Sequence, residues 1–128
     1  MPTGVTNAVG TVSVSQDFSS DDLFYRYIHP KLAGADGWPN SGAFDDDNLL
    51  VDLARLVDLD TALVHGPAYG VVGIPKALCD DLGLVVRRDP TDENAAHCLI
   101  LGRKSGALRR RLKAGCLQLK PATVPTFE

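Results

Sequence analysis

Short apolar runs punctuated by glycine and proline dominate the chain, and their periods predict most of its elements. Thr11-Val12-Ser13-Val14-Ser15 alternates every second residue, as a half-buried edge strand does. In Leu23-Phe24-Tyr25-Arg26-Tyr27-Ile28 four of six residues are aromatic or β-branched, which favours a strand, although Ser19-Ser20-Asp21-Asp22 ahead of it would also cap a helical turn. Pro30 ends this element because it disfavours helical geometry at His29 and donates no amide. Leu49 to Leu56 reads two ways, as an alternating strand around Val51 to Leu53 or as a short helix with Leu49, Leu53 and Leu56 on one side. Residues 33–48 hold three glycines, a proline and six Asp or Asn with no apolar period, which predicts a long loop of the functional or mobile kind.

The second half is plainer. Asp58 or Asp60 caps a short helix over Thr61 to His65 that stops at Gly66-Pro67, and Gly70 to Ile74 is a strand. Pro75 at the first helical position opens a helix that Gly83 closes. Leu84 to Arg88 and His97 to Leu101 are strands joined by eight residues, too few for a crossover helix, so they pair antiparallel. Ser105 caps a basic helix over Gly106 to Ala114, and Cys116 to Leu119 is a last strand. This order predicts an α+β fold: a single domain over residues 11–120, with a mixed, largely antiparallel sheet and two to three short helices. Residues 1–10 and 121–128 read as flexible ends.

Composition refines this picture. With 45% hydrophobic and 23% charged residues among 128, the chain suits an ordinary globular domain with an aliphatic core. No apolar run approaches the roughly 20 residues of a membrane span, and Met1-Pro2-Thr3-Gly4 does not begin like a secretory signal, so a cytoplasmic location is expected. Cys79, Cys98 and Cys116 are widely spaced and read as buried thiols. Asp45-Asp46-Asp47-Asn48 lacks the alternate carboxylates and central glycine of a calcium loop, and no metal or cofactor is expected.

Charge, by contrast, is segregated. Residues 1–64 carry three Lys or Arg against ten Asp, a formal −7, and residues 65–128 carry ten against six acids, a formal +4. Between Arg103 and Lys120 lie seven bases and no acid. Within the predicted basic helix Leu108 and Leu112 share one face, which leaves Arg109, Arg110, Arg111 and Lys113 for water. Arg103-Lys104-Ser105 leads from a strand into that helix, where amides and dipole attract anions; the order Gly-Arg-Lys-Ser departs from the phosphate loop of nucleoside triphosphatases. The first expectation is therefore a binding domain that takes nucleic acid, a nucleotide or an acidic protein surface on Arg103, Lys104, Ser105, Arg109, Arg110 and Lys113. The ordinary alternative is a solvated helix paired with the chain's own aspartates.

A second expectation is a small enzyme acting on a nucleotide or phosphoester, with His97 as acid or base at a strand end, Arg26 or Arg88 stabilising developing charge, and His29 and Tyr25 lining the pocket. A third is an interaction subunit that exposes Trp38 and Phe44. The phrases Leu23-Phe24-Tyr25-Arg26-Tyr27-Ile28-His29-Pro30, Ser41-Gly42-Ala43-Phe44, Val51-Asp52-Leu53-Ala54 and Asn94-Ala95-Ala96-His97 through Gly102-Arg103-Lys104-Ser105 resemble a group of small bacterial proteins to which no activity attaches. That resemblance spans roughly residues 22–114 and implies a bacterial origin. Tyr25-Arg26 also resembles the first strand of ADP-ribosyltransferase-like folds, whose later acidic motif this chain does not show.

Overall fold

The computed structural model describes residues 18–64 and 66–124. In chain order these form β1 (Leu23–Ile28), β2 (Asn48–Leu53), α1 (Leu59–Ala62), β3 (Gly70–Pro75), α2 (Lys76–Asp81), β4 (Val85–Arg88), β5 (His97–Leu101), α3 (Gly106–Gly115) and β6 (Leu117–Lys120). The expected strand over 11–15, the N-terminal ten residues, the His65 turn and residues 125–128 lie outside the described residues. The six strands make one sheet in the order β4-β5-β2-β1-β3-β6, and every pairing among the described residues is antiparallel. The architecture is α+β.

Strand alternation and register sort the side chains onto two faces. Phe24 lies opposite both Leu53 and Ile74, and Val51 opposite Cys98, so Phe24, Ile28, Leu49, Val51, Leu53, Ile74, Cys98 and Ile100 point to one side, where all are buried. Phe44, Cys79 of α2 and Leu112 of α3 close over them with no exposure at all. Burying a side chain of this size stabilises the fold by roughly 1.5–3 kcal/mol, which makes this face the main source of stability. α2 and α3 meet closely, since a Cβ on Gly115 would come within 2.8 Å of the Leu78 side chain. The opposite face carries Tyr25, Tyr27, Leu50, Asp52, Arg87, His97 and Leu99, and it holds the second of the two sites described below.

The chain 33–48 departs from the expected featureless loop. Ala33 and Pro39 form an isolated bridge, Gly37 turns the chain with φ 85°, and Ser41–Phe44 makes a 3-10 turn that drives Ala43 and Phe44 into the core. Of the two readings of residues 49–56, the strand holds through Leu53 and the helix with Leu49, Leu53 and Leu56 on one side does not form. β2 runs to Leu53 because β1 and β5 flank it and supply partners, and a 3-10 turn over Ala54–Leu56 follows where no partner continues. Residues just after β6 also contact the domain. Ala122 donates its amide to the Gly37 carbonyl and Thr123 to that of Ala68, each at 2.8 Å, and Ala122 is buried. Among the described residues no helix is long and apolar enough to cross a membrane.

Candidate functional site

Sequence reasoning placed six anion-binding residues on the loop before α3 and on α3 itself, and the structure divides them. Lys104 is only 3% exposed. Its ammonium donates to the carbonyls of Ile100 at 2.9 Å, Gly102 at 2.6 Å and Asp47 at 3.4 Å, so it fastens β5 and its following loop to the acidic turn. Burial holds its pKa below the usual lysine value, and the nearby Asp47 and Asp46 push it back up. Ser105 accepts the Leu108 amide at 3.2 Å and is the helix cap. Arg109 donates to the Lys104 carbonyl at 2.9 Å and lies 3.3 Å from the Asp45 carboxylate. These three residues thus serve the fold, and the Gly102 amide beside them is donated to Asp47 O. Arg103, Arg110 and Lys113, together with Arg111, have no ion-pair partner among the described residues, and all four are exposed.

Two of these cations, Arg110 and Lys113, border a groove. Arg110, Lys113, Cys116, Leu117 and Gln118 line a cleft of about 620 Å³ between α3 and β6. Lys113 and Gln118 continue into a neighbouring hollow of about 380 Å³ walled by Trp38, Pro39 and Asn40. Trp38 is held there by a turn in which its amide donates to Asp36 Oδ1 at 3.0 Å. Phe44, expected beside it as an exposed aromatic, is instead fully buried. The legible signal for that was an isolated Ala-Phe pair in an otherwise polar loop, a pattern that anchors a loop to a core.

On the other sheet face, His97 lies opposite Asp52 across the β5–β2 pairing. Its Nδ1 sits 3.1 Å from both the carbonyl and the carboxylate of Asp89. Asp52, 8% exposed, accepts from Tyr27 Oη at 2.9 Å and from Asn94 Nδ2 at 2.9 Å. Burial, reinforced by the hydrogen bond to Asp52, raises the Tyr27 pKa far above its usual value, which keeps the phenol a donor. Arg26 and His97 border one cleft here of about 350 Å³, but the Arg26 guanidinium is consumed by backbone: it donates to Ala43 O at 3.2 and 3.1 Å and to Leu50 O at 3.1 Å. It fills the gap where β1 and β2 part after Tyr25. Burial lowers its pKa, opposed by Asp46.

His29 stands apart from that cleft. Its Nδ1 accepts the Lys31 amide at 3.0 Å, capping the turn Pro30–Leu32, and its ring packs edge-on to Tyr69 at 5.2 Å. Arg88 donates to Ala95 O at 2.8 Å, and Tyr25 lines neither cleft on this face. Asp52, Asn94 and Tyr69 were not foreseen as site residues. Asp52 was marked only by being the one charge inside an apolar strand; Asn94 and Tyr69 lie in turns whose pairing no local pattern reveals.

Other chemistries find little support. Cys79 and Cys98 are buried and their thiols are pushed up to about 11, chiefly by burial, so both remain protonated. Among the described residues no group of three or more His, Cys, Asp or Glu is placed to hold a metal ion. No protein-family model matches the chain, and no curated protein or solved structure matches it either.

Proposed function

We propose that the domain binds a phosphate-bearing polyanion, single-stranded nucleic acid in the first instance, on the exposed side of α3. Arg103, Arg110, Arg111 and Lys113 supply the charge, and the groove past Gln118 to Trp38 supplies a wall on which a base stacks. The observation that carries this reading is that four cations of one loop-helix unit find no acidic partner among the described residues, while Lys104, Ser105 and Arg109 brace the same unit from within. A cationic groove with an aromatic flank is what an unpaired strand requires, since phosphates give affinity and every base offers a face to stack. The expectation of an enzyme centred on His97 is less well supported, because Arg26 and Arg88, its alternative charge stabilisers, both donate to backbone carbonyls.

Fluorescence anisotropy with labelled oligo(dT) and oligo(rU) tests the reading. With about four phosphate contacts the logarithm of the association constant falls against the logarithm of salt concentration with a slope of about −3. Replacing Arg110, Arg111 and Lys113 together by glutamate abolishes binding, and Trp38→Ala weakens it by about 1–3 kcal/mol with little change in that slope. Affinity indifferent to salt, or unchanged in the triple variant, overturns the proposal. Tighter binding of poly-glutamate than of either oligonucleotide reassigns the surface to an acidic protein.

A further inference from the structure

We infer that the cleft beneath α1, on the sheet face turned away from α2 and α3, is a second and separate binding site, for a small planar ligand with a cationic or N–H-rich end such as an amidinium, a guanidinium or an aminated heterocycle. Tyr27, Asp52, Ala62, Leu63, Tyr69 and Asn94 line this cleft of about 440 Å³, a volume typical of small-molecule sites. Asp52 contributes the one carboxylate of this lining. Each of its oxygens already accepts one protein donor, Oδ2 from Tyr27 and Oδ1 from Asn94, both at 2.9 Å. A carboxylate has about four acceptor directions, so roughly two remain for a visitor. The two bonds and the strand backbone fix both oxygens in place, and a fixed pair of oxygens is matched best by a planar fork of donors.

The charge balance points the same way. Asp52 is almost fully buried, yet among the described residues no Lys or Arg forms an ion pair with it. A buried carboxylate satisfied only by neutral donors leaves a negative potential in its cavity, which a cation relieves and an anion aggravates. The walls suit a flat ligand. Tyr27 and Tyr69 offer aromatic surface, Ala62 and Leu63 aliphatic surface, and Tyr69 is steadied by the His29 ring packed against it. Nothing here depends on the cations of α3.

Benzamidine, neutral benzamide and anionic benzoate, which share one ring, serve as probes, followed by amide shifts in two-dimensional NMR. Benzamidine is expected to bind saturably, shifting residues 27, 52, 62, 63, 69 and 94, and to bind at least about tenfold better than benzamide, the margin a charged hydrogen bond commonly gives. Asp52→Asn removes that margin. Ala62→Trp, placed on the exposed rim, blocks the cleft without touching Asp52, so it decides the matter if Asp52→Asn does not fold. The glutamate triple variant of α3 still binds benzamidine, which separates this site from the polyanion surface. Benzoate binding as tightly as benzamidine, no benzamidine shifts at millimolar concentration, or the same shifts in Ala62→Trp, overturns the inference.

Discussion

Lys104 and Lys113 belong to one basic stretch and do opposite work. The first is buried with its protons on three carbonyls, and the second is exposed at the junction of two grooves. Charge alone does not distinguish them; only the environment does. Lys104→Met leaves the carbonyls of Ile100 and Gly102 without their donor and is expected to cost about 1–3 kcal/mol in chemical denaturation. Lys113→Ala stays within about 0.5 kcal/mol while weakening oligonucleotide binding. If Lys113→Ala proved the more destabilising, the assignment of these two roles would be reversed. Arg26 teaches the same lesson. In a strand of aromatic neighbours it looks like a ligand-binding guanidinium, yet its donors close a gap between two strands.

At the scale of elements, α3 follows its sequence closely. Ser105 caps it, Leu112 is its fully buried anchor, Leu108 packs partly against the core, and the cations lie elsewhere on its surface. Because Leu112 is the one buried side chain of α3, Leu112→Ala is expected to cost about 2–5 kcal/mol and to loosen the binding groove with it. A loss below about 1 kcal/mol in equilibrium unfolding would mean that the Lys104 and Arg109 contacts hold the helix instead. β2 shows why other elements were ambiguous. Leu49, Leu53 and Leu56 have helical spacing, and what decides for a strand is the presence of β1 and β5 on either side. A helix would leave those edges unpaired.

At the scale of the molecule, the residues just after β6 are tied to the body of the domain, Ala122 to Gly37 and Thr123 to Ala68. The stretch through Ala122 crosses Gly37 and Gly70 so closely that a Cβ at Gly37 would lie 2.7 Å from Ala122 O, and one at Gly70 would lie 2.7 Å from Ala122 N. Gly70→Val is therefore expected to displace residues 121–124, lower thermal stability and expose the tail to proteolysis. An unaltered melting temperature with an uncleaved tail would refute this account. The apolar alternation, turn residues and caps, all local features, determined the α+β class, four of the six strands and the length of α3 from sequence alone; for β1 they favoured a strand but left a capped helical turn open, and for β2 they allowed a helix equally. The segregation of charge was equally legible. Which cations are free, which residue closes the β1–β2 gap, and that Tyr27, Asp52 and Asn94 converge beside Tyr69 were decided only by the tertiary structure. Each of these depends on partners from 17 to 64 positions away in the chain, a separation across which no local periodicity carries information.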